Sequence, residues 1–226
     1  MNWRFRLTCF TLALLLPLTF VLGQDGGNVM PPQARPYGYS LTDMAKVIAL
    51  LNTGQHPSTP FQFLDYDSNN VQWAEITCAN GQQGVYSFAA NSFLVRPGTY
   101  FYLPLLYVDD SPPVIEPFPS DRREAQEYLY SPEFFGYEKA SITVDRRVTP
   151  ITPDYVSGIV EQTNPPLLDG GTHMFEVAAF LTPLAPGKHV VMTYQELDGA
   201  AVLTLYGNGC YHAASTFLIE VKDGSD

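Results

Sequence analysis

Residues 95–110, VRPGTYFYLPLLYVDD, set one proline in the middle of an apolar, aromatic run. In a helix Pro104 would remove a hydrogen bond and clash with the preceding turn, so the run predicts a strand. Within a strand, the same residue asks for an edge or a bulge. Just upstream, Arg96-Pro97-Gly98-Thr99 supplies the fixed φ and then the positive φ of a type II turn, so the chain reverses there. Nearly every side chain from 99 to 108 is apolar or aromatic, which suits a strand covered on both sides. Simple alternation puts Phe101, Leu103, Leu105 and Tyr107 on one face and Tyr100, Tyr102, Leu106 and Val108 on the other. The run ends in a carboxylate pair, Asp109-Asp110.

The beginning of the chain speaks to compartment. Residues 1–23 carry Arg4 and Arg6 ahead of an apolar stretch, with Val21 and Gly23 at the small-residue positions of a cleavage site, the pattern of a secretory signal peptide. A retained membrane anchor is the alternative, because residues 7–23 approach spanning length. Cleavage would remove two cations and no acid, taking the formal charge of −11 to about −13. So acidic a chain, with no basic run, repels phosphate backbones and anionic lipid. Nucleic acid and, after cleavage, a membrane surface are therefore disfavoured as partners, and cations, neutral polymers or basic proteins are favoured. With Cys9 gone, Cys78 and Cys210 remain, and a lone pair in an oxidising compartment predicts a disulfide. Free thiols, or a metal site using His212, are the competing readings, although no C-x-x-C or H-x-x-x-H spacing supports zinc.

Along the rest of the chain the period changes from helix to strand. Residues 24–39 are rich in Gly and Pro without a period and read as a flexible leader. Ser40 with Asp43 resembles a capping box, Leu41, Met44, Val47, Ile48 and Leu51 recur at helical spacing, and Gly54 can end the turn. Asp65, Asp67 and Asn69 are spaced like the first calcium-loop ligands, but Asn70 and Ile76 stand where Gly and Glu are needed, which favours acidic turn residues. Cys78-Ala79-Asn80-Gly81 looks like a hairpin corner between strands, with short strands at 84–90 and 92–95 to follow. Residues 111–139 form one long insertion: a Pro-rich part, a short helix capped by Ser120 and reaching Tyr130, and six aromatics. We expect it to pack as a flap across one end of the domain.

Beyond 140 the alternation is clean. Ile142, Val144 and Val148 point one way; Phe175, Val177, Ala179 and Leu181 share a face, as do Val190, Met192 and Tyr194; Leu203 and Leu205 continue the strands, and Phe217, Ile219 and Val221 close the series. The expectation is a mainly β domain over 40–226, an antiparallel two-sheet sandwich of jelly-roll or immunoglobulin-like kind, with one N-terminal helix and the flap.

The segments CANGQQGVYSFAA, VRPGTYFYLPLLYVD, SITVD, TPLAPGKHVV and STFLIEV together resemble a set of secreted bacterial proteins of unknown function. Their pattern is a Cys before Gln-Gly and an aromatic strand, an aromatic-Pro-Leu core strand, and a late Pro-Gly-x-His turn. The likeness spans 61–222; Tyr102-Leu103-Pro104-Leu105 replaces Phe-Phe-Pro-Leu, and a Trp-rich stretch is reduced to Trp73. It implies secretion, extracellular or periplasmic, and a β-sandwich, and it brings no catalytic residues.

Chemistry is sparsely marked. Neighbouring strand residues face opposite ways, so Asp109 and Asp110 cannot by themselves be the acid–base pair of a glycosidase. Aromatics beside carboxylates do suit a neutral sugar. Tyr107, Asp109, Asp110, Tyr128 and Tyr130 are therefore the candidate site of a non-enzymatic extracellular module for a glycan or protein ligand, with no cofactor. A carboxylate-dependent polysaccharide hydrolase or lyase and a structural calcium-binding surface protein are the alternatives. His173 and His189 sit in strand patterns, and no G-x-S-x-G, H-E-x-x-H, Walker or dinucleotide motif occurs.

Overall fold

The computed structural model describes residues 28–65, 68–137, 139–162, 166–167 and 170–222. Residues 1–23, where the sequence predicts a signal peptide, the first four residues of the predicted leader and Asp67 lie outside them. Among the described residues ten strands and three α-helices follow in order: α1 (Leu41–Asn52), β1 (Gln62–Phe63), β2 (Gln72–Thr77), β3 (Gln83–Val95), β4 (Phe101–Asp109), α2 (Arg122–Tyr130), β5 (Lys139–Val144), β6 (Arg147–Pro150), β7 (Val160–Glu161), β8 (His173–Leu181), β9 (Gly187–Leu197), α3 (Ala200–Tyr206) and β10 (Tyr211–Val221). They build two sheets, β1-β4-β8-β7 and β2-β3-β10-β9-β5-β6. Both are mixed. β1 pairs parallel with β4, and β10 runs parallel to β3 from Tyr211–Val85 to Val221–Val95, so the expectation of a purely antiparallel arrangement is corrected.

One core joins the sheets. Phe101, Leu103, Phe175, Val177 and Leu181 from the smaller sheet pack in the same cluster as Ile142, Val191, Phe217 and Ile219 from the larger. Each such side chain, fully buried, contributes about 1.5–3 kcal/mol. A side-chain bridge also crosses, from Gln195 Nε2 to the Leu105 carbonyl at 3.1 Å. Behind the smaller sheet lies α1, whose Ala45 and Ala49 meet Met174. Its start is fixed as the sequence predicts, with Ser40 Oγ accepting from Asp43 N at 3.1 Å and Asp43 Oδ2 accepting from Ser40 N at 3.0 Å. Helix on one side and larger sheet on the other leave β8 buried from Met174 to Leu181.

Pro104 is the hinge of β4. Pairing with β8 runs through Pro104–Ala178 and resumes at Leu106–Val177, so Leu105 is a bulge. Opposed residues share a face, which puts Leu106 on the side of Leu103, where simple alternation had separated them. On its other edge β4 meets β1 only at Phe101 and Tyr102. An imino acid without an N–H is tolerated at such a place.

Other expectations are corrected locally. Residues 28–39 are docked, not a loose leader: Val29 bridges Leu181, Met30 N donates to the Phe180 carbonyl at 2.8 Å, and the Tyr37 and Tyr100 rings meet at 5.2 Å. β3 is one continuous strand. Val148 is 65% exposed, because the Asp145-Arg146 turn pairs it with Thr143 on the solvent face, opposite to Ile142 and Val144. In the flap, Asp121 caps α2 by accepting from Glu124 N at 2.8 Å, and Ser120 donates its N–H and hydroxyl to Glu124 Oε2.

The largest miss is α3, where Leu203 and Leu205 suggested a strand. Its first N–H groups are satisfied from the flap: Gly199 N, Ala200 N and Ala201 N donate to the carbonyls of Phe135, Pro132 and Phe134 at 3.0, 3.0 and 2.8 Å. Gly199 is required there, since a Cβ would run into the Phe134 carbonyl and the Phe135 backbone. The predicted Cys78–Cys210 disulfide is present, joining the β2–β3 turn to the foot of β10. Closing a loop of 132 residues in sequence stabilises by about 4–5 kcal/mol on the chain-entropy account.

Candidate functional site

Beyond the Pro104 bulge a cleft of about 640 Å³ opens at the flap end. Trp73, Val85, Leu197 and Tyr211 come to it from the larger sheet, Leu106 to Asp109 from the end of β4, residues 111–114, Tyr128 and Phe135 from the flap, and Leu205, Tyr206 and Asn208 from α3 and its exit. Three large rings are left in water at this end, with Trp73 62%, Tyr107 51% and Tyr206 61% exposed.

Each ring is held. Trp73 stands opposite Ser87 in the β2–β3 pairing and packs on Tyr211 with centroids 6.2 Å apart, while the Tyr211 hydroxyl and Ser87 Oγ are 2.8 Å apart. Tyr128 donates its hydroxyl to the Ile115 carbonyl at 2.8 Å and is wedged against Phe134 and Phe135 at 4.8 and 5.4 Å. Burial pushes its phenol up to about 12, despite that hydrogen bond, so it stays neutral at physiological pH. Tyr206 is raised as well, first by desolvation and then by Tyr211, Asp109 and Tyr107 around it. Asn208 Nδ2 donates to the Tyr206 carbonyl at 3.1 Å, and Asp109 Oδ1 accepts from Ser111 N at 2.9 Å.

Of the residues singled out in the sequence, Tyr107, Asp109 and Tyr128 line this cleft. Asp110 does not. Its Oδ1 accepts from Thr172 N and His173 N at 2.6 and 2.9 Å, and Oδ2 lies 2.9 Å from His173 Nδ1, so it anchors the start of β8. Desolvation alone would raise its pKa, but these bonds outweigh it and the carboxyl is lowered. The alternation rule that parted the two aspartates thus holds. Tyr130 also lies elsewhere, edge-on to Tyr137 at 5.5 Å, with its hydroxyl buried and unpartnered among the described residues. Desolvation, with Asp154 nearby, raises it. Sequence reasoning missed Trp73, Tyr206, Asn208 and Tyr211 as cleft residues. Trp73 carried a signal, as a large ring in an edge strand, whereas Tyr206 was hidden by reading α3 as a strand.

A second acid, opposite Tyr107 in the pairing of β4 with β8, is sealed in the interior. Glu176 is wholly buried; its Oε1 accepts from the Tyr102 hydroxyl, its backbone N donates to Ser157 Oγ at 3.0 Å, and Oε2 is unpartnered among the described residues. Burial lifts it to about 8, only partly offset by Tyr102, so at neutral pH it is largely a neutral acid.

No family model matches the chain, and no curated protein matches it. Among solved structures it is similar to a chain in "Structure of PbICP-C in complex with falcipain-2", at 15% identity over 73% of this chain and 100% of that one, with a TM-score of 0.20. A score that low carries neither fold nor function.

Proposed function

We propose that this is a secreted protein whose two sheets stack as a sandwich, and that it binds an extracellular carbohydrate in the flap-end cleft without cleaving it. The observation that carries the reading is the set of rings, Trp73, Tyr107, Tyr128, Tyr206 and Tyr211, lining one cavity beside Asp109 and Asn208. Sugars present apolar C–H faces edged by hydroxyls, and held rings with a few polar groups match both. Secretion is supported by the Cys78–Cys210 bridge, since such bonds persist in oxidising compartments. Among the described residues no helix is long and apolar enough to cross a membrane.

Hydrolysis by paired carboxylates is the second reading. It needs two carboxyl groups about 5 to 9.5 Å apart across the substrate. Asp109 is the single carboxylate among the described residues lining the cleft, which favours binding. Glycan-array binding of Trp73→Ala and Tyr206→Ala tests the proposal. Both substitutions should abolish binding with the melting temperature held, because exposed positions rarely shift stability by more than about 0.5 kcal/mol. Unchanged binding in both variants would refute the site.

A further inference from the structure

The one charged side chain lining the cleft among the described residues is a carboxylate, Asp109. Asp109 spends Oδ1 on Ser111 N at 2.9 Å, and its Oδ2 makes no hydrogen bond among the described residues. Asn208 spends one of its two amide N–H groups on the Tyr206 carbonyl at 3.1 Å, and its side-chain oxygen is available as an acceptor. Ser111 Oγ accepts from Gly171 N at 3.0 Å. No Lys, Arg or His is among the lining residues, and the chain carries a formal charge of −11. Around Asp109 stand ring faces, and Tyr206 lies near enough to Asp109, Tyr107 and Tyr211 to feel each of them.

Resting on the carbohydrate reading above, we infer that the cleft selects a saccharide bearing a protonated amine over its neutral N-acetylated counterpart. An ammonium group offers three donors and no acceptor, which fits Asp109 Oδ2 and Asn208 Oδ1, and its charge is attracted by the negative faces of the rings. A neutral acetamide forgoes both the charge attraction to Asp109 and the attraction of a cation to the ring faces. An anionic sugar would meet Asp109 without a compensating cation, and is excluded on the same ground.

The test is calorimetric titration with β-1,4-linked glucosamine oligosaccharides and with N-acetylglucosamine oligosaccharides of equal length, in mildly acidic buffer where the amines are charged. The amine form should bind at least ~10-fold more tightly, and added salt should shrink the ratio. Asp109→Asn keeps the acceptor for Ser111 N, so the fold should hold while the preference falls to within about threefold. Equal or tighter binding of the acetylated form would overturn the amine selectivity and leave the carbohydrate reading standing. Binding of neither form would overturn the amine selectivity, and the glycan array then decides the carbohydrate reading by itself.

Discussion

The two halves of β4 have nearly the same composition and opposite fates. Before Pro104, Phe101, Tyr102 and Leu103 are wholly buried; after it, Tyr107 is half exposed, and Leu106, Val108 and Asp109 border a cleft. Each half brings a carboxyl group near a tyrosine. Tyr102 meets Glu176 in a sealed interior that keeps the acid protonated, whereas Tyr206 stands near Asp109 where water and a ligand can reach. Apolar content alone therefore does not decide burial. The bulge changes which side chains face which layer, by shifting the register with β8 between Pro104 and Leu106, and the second half of the strand borders the cleft.

Substitutions in the two halves should separate cleanly. Phe101→Ala removes a ring from the sealed half and should cost about 3–5 kcal/mol in chemical denaturation. Breaking the Cys78–Cys210 bridge by a double Cys→Ala change should cost about 2–5 kcal/mol. Gly84→Ala should mimic part of that loss, because a Cβ there would strike both sulfurs. Free thiol appearing in oxidised Gly84→Ala protein is the check.

The next effect is smaller and depends on pH. Glu176 has its pKa raised to about 8 from an ordinary 4.5, so its contribution is fully present below the unfolded value and is lost as pH climbs toward the folded one. Stability should fall between pH 5 and 8 by at most about 1.4 kcal/mol per pH unit from this group. His189 has the same sign: bonds from Asp145 and the Ala185 carbonyl outweigh desolvation and raise it. Glu176→Gln isolates the buried acid, since it should flatten the slope and leave the His189 part. An unchanged slope would mean that the interior is wetter than the packing implies. Smallest of all, Tyr107→Ala in the open half should leave stability within about 0.5 kcal/mol while weakening ligand binding.

What could be read from the sequence was local. The Ser40–Asp43 box, the Pro104 bulge and the parting of Asp109 from Asp110 all follow from backbone chemistry within a few residues. The disulfide followed from compartment and count. What escaped depends on distant partners. α3 owes its start to flap carbonyls more than 60 residues earlier, at Pro132, Phe134 and Phe135, and its Leu203 and Leu205 imitate a strand. β3 and β10 pair in parallel across a long stretch of chain, which no local pattern encodes. Since the cleft is assembled from β2, β4, the flap and α3 together, part of its lining was legible, and the rings of Trp73, Tyr206 and Tyr211 were not.

Trp73 is the sole tryptophan after residue 23 and sits at the cleft mouth, so its emission reports on the open half directly. Titrating the protein lacking residues 1–23 with glucosamine oligosaccharides should give a saturable change in that emission, and Tyr206→Ala should remove it. A saccharide that binds by calorimetry while Trp73 emission stays flat would contradict the assignment of this cleft.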